Sequence, residues 1–228
     1  MTRRKPSRGV CSYCGRVLAK SGMSRHLKSC KKRQAAIAAA DQNEGPEENI
    51  YHLRLQDTWG GIYWLHLEMV GSAPLEELDM YLRAIWLECC GHLSAFYIGT
   101  AWIGPELSMG DKAEDVFQVG QKIIHLYDFG TTSETEIKVL EVRRGKPTTP
   151  HPIALMARNQ PPEMICMYCD RPASWLCMEC VHEDDESGLL CDVHVDGHPH
   201  SDYGEPVPVV NSPRLGMCGY VGPADPPY

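Results

Sequence analysis

No apolar run in this chain reaches the roughly 18 residues that a membrane-crossing helix requires. Met1 to Gly9 is basic and has no apolar h-region, so a secretory signal is not expected. Both absences lead to the expectation of a cytoplasmic protein with no membrane partner. Acidic residues are missing from residues 1–34, which hold eleven of the 22 Lys and Arg; all 30 Asp and Glu come later. The net charge of −8 therefore conceals a head of +11 and a remainder of −19. Uniform acidity would argue against nucleic-acid binding, but here the cations are gathered at one end. The chain also lacks a glycine-rich phosphate loop, an H-R-D catalytic loop, an H-E-x-x-H motif and a clear Arg/His/Tyr recombinase set. These gaps weigh against an enzyme. No internal repeat is present.

Cysteine, by contrast, is plentiful. Nine of eleven sit in or beside C-x2-C or C-x2-H units, at positions 11, 14, 30, 166, 169, 177, 180, 191 and, more loosely, 218. In a reducing compartment such spacing marks metal ligands rather than disulfides. The other two, Cys89 and Cys90, follow an amphipathic helical pattern, and one or both are expected as buried core residues. Apolar content of 43% and charged content of 23% are those of a globular chain.

Composition divides the sequence into a basic module (1–40), an acidic linker (41–49), a patterned central domain (50–145), a Pro/Thr-rich connector (146–163), a Cys/His module (164–200) and a Pro/Gly-rich tail (201–228) expected to have little regular structure. Alternation predicts strands over Ile50–Leu55, Ile62–Val70, His92–Ile98, Lys122–Tyr127 and Glu134–Val142. Pro74 opens a helix with Leu75, Leu78, Leu82, Ile85 and Trp86 on one face, and Gly91 ends it. The expected class is α+β: a small antiparallel or mixed sheet with a packed helix, flanked by two small zinc-stabilised modules.

In the head, Cys11, Cys14, His26 and Cys30 form C-x2-C-x11-H-x3-C. The first pair makes a knuckle, and His26 and Cys30 lie one helical turn apart on a common face. Four such ligands complete a closed structural zinc site, around a minimal core of Leu18, Met23 and Leu27. The pattern resembles the C2H2/C2HC finger class. Arg25, Lys28, Lys31, Lys32 and Arg33 project from or just beyond the helix, with Arg3, Arg4, Lys5 and Arg8 before it, a distribution suited to phosphate contact. One finger reads only about three base pairs, so nucleic-acid contact without sequence specificity is the expectation, with a solvated basic face or a finger binding an acidic protein as the alternatives.

From Cys166 the ligand order is Cys166, Cys169, Cys177, Cys180, Cys191, His194, His198 and His200. The seven residues between the first two pairs are few for a ribbon closing on itself. One or two zinc ions are expected; for two, an interleaved arrangement relieves the crowding, with Cys166, Cys169, Cys191 and His194 on one zinc and Cys177, Cys180, His198 and His200 on a second. The tight His198-Pro199-His200 leaves His182 as an alternative last ligand. The spacing resembles B-box and related cross-brace domains, which implies a protein partner.

Ile50-Tyr51-His52-Leu53-Arg54-Leu55, the Leu75–Cys90 helix, His92-Leu93-Ser94-Ala95-Phe96 and Tyr127-Asp128-Phe129-Gly130 together resemble the Ri-plasmid open-reading-frame-three-like family, also labelled TnpR-like passengers of insertion elements. The tail from Pro208 to Arg214 and Cys218-Gly219-Tyr220 is similar to longer, zinc-bearing members. Thr131 and Ser133 stand where the family has Asp and Trp. The resemblance implies a mobile-element association. Asp128-Phe129-Gly130 is expected as a tight turn with Gly130 at positive φ. The leading expectation is a non-enzymatic zinc-binding adaptor. The alternative is a recombination or nucleic-acid-processing enzyme using His92, His125 and Asp128.

Overall fold

The computed structural model describes residues 6–200 and 202–228. Arg3, Arg4 and Lys5 lie outside the described residues.

The head forms β1 (Arg8–Cys11), β2 (Val17–Ala19), α1 (Lys20–Ser29) and α2 (Lys31–Ala40). The centre contributes β3 (Glu48–Asp57), β4 (Trp64–Val70), α3 (Leu75–Leu82), β5 (Ser94–Ile98), β6 (Glu106–Leu107), α4 (Ala113–Val116), β7 (Lys122–Tyr127), β8 (Ser133–Gly145) and β9 (Ile153–Asn159). Beyond it come β10 (Trp175–Leu176), α5 (Met178–His182), β11 (Leu189–Leu190), α6 (Asp192–Val195) and β12 (Val207–Pro208). The fold is α+β, as the sequence pattern predicts.

Among the described residues, nine strands make one sheet in the order β2-β1-β9-β4-β3-β8-β7-β5-β6. Every pairing in it is antiparallel. The sheet is larger than expected for two reasons. The stretch 146–163, expected as a connector, contains β9, whose Ile153, Met156 and Ala157 are fully buried. The head is not a separate bead either: β1 pairs with β9, matching Gly9 to Asn159 and Cys11 to Ala157. Gly9 is required at this seam, because a Cβ there would lie 2.3 Å from the Arg158 carbonyl oxygen and 2.4 Å from the Trp64 ring.

One sheet face carries α3, with Leu75, Leu78, Leu82, Ile85 and Trp86 all fully buried against Leu53, Leu65, Leu67, Phe96 and Ile137. Full burial of such side chains is worth about 1.5–3 kcal/mol each, which makes this layer the principal core. The α-helix does not run on to Gly91. It passes into one π turn, Arg83–Leu87, and the chain then extends at Glu88.

The finger has its own core, in which Met23 and Leu27 of α1 pack on Trp64, Met156 and Ala157 of the sheet. Arg33, expected to project, is instead buried and donates from Nη2 to Glu68 Oε1 at 2.7 Å. The tail has only short regular pieces yet is firmly placed. Ser212 and Arg214 are fully buried, and Ser212 Oγ donates to the Trp86 carbonyl at 2.6 Å. No helix among the described residues is long and apolar enough to cross a membrane.

Candidate metal centres

Four Cys/His groups among the described residues each bring their ligand atoms within 4.8 Å of one another. All eleven cysteines are free thiols.

In the finger, Cys11 ends β1 and Cys14 follows in a tight turn closed by Gly15, whose N–H donates to the Cys11 carbonyl at 2.8 Å. Gly15 has φ 72°, a conformation that suits glycine. α1 supplies His26, and Cys30 follows at its end. Cys14 Sγ lies 3.3 Å from His26 Nε2. Burial pushes the Cys11 thiol up to about 11, whereas the Arg16 amide pulls Cys14 down. Beside this group lies a shallow hollow lined by Arg16, Lys31 and Lys32. Arg25 and Lys28 are also exposed on the finger, Lys28 reaching Glu141 at 3.7 Å.

The C-terminal module is cross-braced. Cys166, Cys169, Cys191 and His194 form one group, and Cys177, Cys180, His198 and His200 the other. In the first, Cys166 Sγ is 3.3 Å from His194 Nδ1 and Cys169 Sγ is 3.8 Å from Cys191 Sγ. In the second, Cys180 Sγ is 3.4 Å from His198 Nε2 and 3.2 Å from His200 Nδ1. The tight His198-Pro199-His200 therefore delivers both rings. His182 lies elsewhere, stacked on Tyr203 with 5.5 Å between ring centroids. Although burial alone would raise it, the Cys166 thiol is drawn down to about 7 by the amides of Tyr168 and Cys191. Burial drives Cys180 up to about 12. Gly188 is needed where the Cys177 amide donates to its carbonyl at 2.7 Å, since a Cβ there would lie 2.4 Å from the Cys177 oxygen.

These spacings suit a tetrahedral ion. With Zn–S near 2.3 Å and Zn–N near 2.0–2.1 Å, ligand atoms stand about 3.8 Å apart for S···S and about 3.5 Å for S···N. The donors therefore fit a closed metal site.

The fourth group is Cys89, Cys90, His92 and Cys218. Cys89 is half-buried and Cys90 exposed, so the expectation that one or both are buried core residues is corrected. The π turn and the bend after Glu88 take them off the helix face that periodicity assigned to them. Asp128, 3.4 Å from His92 Nε2, adopts φ 66° itself, whereas Gly130 has no positive φ. Its carboxylate accepts from the Gly130 and Thr131 amides at 2.9 and 3.2 Å and from Arg214 Nη2 at 2.6 Å. Those bonds outweigh its desolvation and hold it at about 2. His125 does not join this group; it is fully buried, with Nε2 2.7 Å from Asp79 Oδ1.

No family model matches the chain, and no curated protein matches it. A crystal structure of a protein of unknown function from Methanosarcina mazei Go1 is similar at 19% identity and a TM-score of 0.40. The match covers 46% of this chain and 66% of that one. A likeness of this degree supports no functional argument.

Proposed function

We propose that this protein is a zinc-binding, non-enzymatic adaptor, with one zinc in the head finger and two in the C-terminal module. The observation that carries this reading is the interleaving of the last eight ligands into two four-donor groups. Thiolate and imidazole donors favour zinc, and four protein ligands per ion leave no open position for catalysis.

The finger's exposed Arg25, Lys28, Lys31 and Lys32, together with the cationic hollow, make it the nucleic-acid-contacting end. The cross-braced module faces a protein partner. Exposed apolar side chains of the central domain support an adaptor, with Trp102 and Phe129 in edge contact at 4.9 Å. An association with mobile elements rests on the family resemblance of the sequence alone and is part of this proposal. The His92–Asp128 approach favours the enzymatic alternative, but an Asp128 saturated by Arg214 and turn amides is a poor proton acceptor.

Metal analysis of unchelated protein tests the first part: three or more zinc ions per chain are expected, and fewer than one removes the reading. For nucleic acid, a salt titration should give a slope of about −0.9 per phosphate neutralised. Replacing Arg25, Lys28, Lys31 and Lys32 by Ala should flatten it. Absence of DNA and RNA binding at low salt would discard the nucleic-acid role and leave the zinc assignment standing.

A further inference from the structure

We propose that Cys89, Cys90, His92 and Cys218 bind an additional zinc ion, which fastens the C-terminal tail to the central sheet domain. Cys89 Sγ and Cys90 Sγ are 3.6 Å apart, and Cys90 Sγ is 3.0 Å from His92 Nε2. A disulfide would need about 2.05 Å. The sulfur separation instead resembles the 3.8 Å between Cys169 and Cys191 in the cross-braced module.

The backbone is shaped to bring these donors together. The π turn Arg83–Leu87 ends the helix early, which frees Cys89 and Cys90 in a bend before Gly91 at φ 77°. π turns recur at functional sites. Across the site, Cys218 itself adopts φ 49°, between Gly216 at 77° and Gly219 at 70°. Cysteine rarely enters this left-handed region, and such residues gather where the surroundings impose them for a use. Cys90-Gly91 and Cys218-Gly219 both repeat the Cys14-Gly15 step of the finger, where Gly15 has φ 72°.

The second layer suits an anionic thiolate site. Arg214 is fully buried, donates to the Thr131 carbonyl and Ser133 Oγ at 3.0 Å each, and lies 4.8 Å from the Tyr127 ring centre. Its guanidinium is a fixed counter-charge to clustered thiolates, and it holds the tail beside Cys89 and Cys90. Arg214 and two amides already occupy the Asp128 carboxylate, which leaves the thiols and His92 as the ligand set. Cys90 and Cys218 are exposed, whereas each of the other three groups has at least two buried ligands. This ion is therefore the one most accessible from solvent.

The test is native mass spectrometry of the 228-residue chain prepared with reductant and zinc. Four zinc ions are expected for the natural sequence and three for each of C90S, H92Q and C218S. Hydrogen exchange should also quicken at Gly216–Tyr220 in C90S, although that substitution lies outside the tail. Three ions in the natural chain and in all variants would overturn the proposal, as would a Cys90–Cys218 disulfide in the reduced preparation. Unchanged tail exchange in C90S would overturn the clamp. The natural chain alone decides the count if a variant fails to fold. Three ions leave the proposed function intact, while none would remove both.

Discussion

His52 and His66 meet between β3 and β4, Nε2 to Nδ1 at 2.9 Å, with both side chains buried. Two neutral imidazoles satisfy this contact, one donating and one accepting; a protonated ring facing its neighbour's donor would not. Burial, reinforced by Arg33 and Lys28, lowers His52 to about 4, and burial also drives His66 well below the ordinary value. Between roughly pH 6.5 and 4 the unfolded chain therefore binds protons that the native pair refuses. This contribution to stability is complete above the unfolded value and is lost as pH falls through that window. Imidazole NMR resonances of His52 and His66 should stay in the neutral form from pH 8 to 5; titration of either near 6.5 would refute their exclusion from water. The His pair left no trace in the one-dimensional pattern, because strand alternation does not say which polar residues face inward. Short spacings do point to the twelve residues that the fold gathers into the first three Cys/His groups. Helical periodicity does not reveal the π turn that takes Cys89 and Cys90 off the buried face, and Cys218 reaches them only through the fold.

At the scale of elements, the finger and sheet are joined by charge as well as by apolar packing. Glu68 on β4 receives Arg33 of α2 at 2.7 Å and Arg143 of β8 at 3.2 Å. Arg33 and Glu68 side chains are only 8% and 4% exposed, so water cannot replace a missing partner. Removing one member of such a pair typically costs about 3–5 kcal/mol because a charge is stranded. Glu68→Ala should lower the urea midpoint of the zinc-loaded protein by that amount of stability with an unchanged slope. A loss below about 1 kcal/mol would mean the bridge behaves like a surface pair. β3, β4, β5, β7 and β8 are legible in the apolar pattern of the sequence, though their ends are not. β9 was hidden among Pro147, Pro150, Pro152, Pro161 and Pro162, which flank it rather than interrupt it. β1 is obscured because Cys11 at its end reads as part of a candidate metal knuckle, and its partner β9 is known only from the assembled sheet.

The whole molecule combines two kinds of stability. The central sheet and α3 bury a continuous apolar layer that needs no metal. The C-terminal module has a buried cluster of only Cys177, Cys180 and Leu190, with Met167, Trp175 and Val195 partly buried against it. Two of its three buried members, Cys177 and Cys180, are themselves candidate metal ligands. Metal binding supplies on the order of 10–16 kcal/mol in isolated zinc-finger peptides, far more than this small cluster can provide. The head is intermediate, since β1 pairs with β9 and Met23 and Leu27 rest on Trp64 and Met156. Strong chelation should therefore unfold the molecule in parts. Hydrogen exchange should accelerate most over Cys166–His200, to a lesser degree over Cys11–Cys30, and little over β3, β4, β7 and β8. Uniform loss of protection would show that the sheet depends on the ions. Unchanged protection in the C-terminal module, with its metal verified as removed, would show that its short strands hold without them.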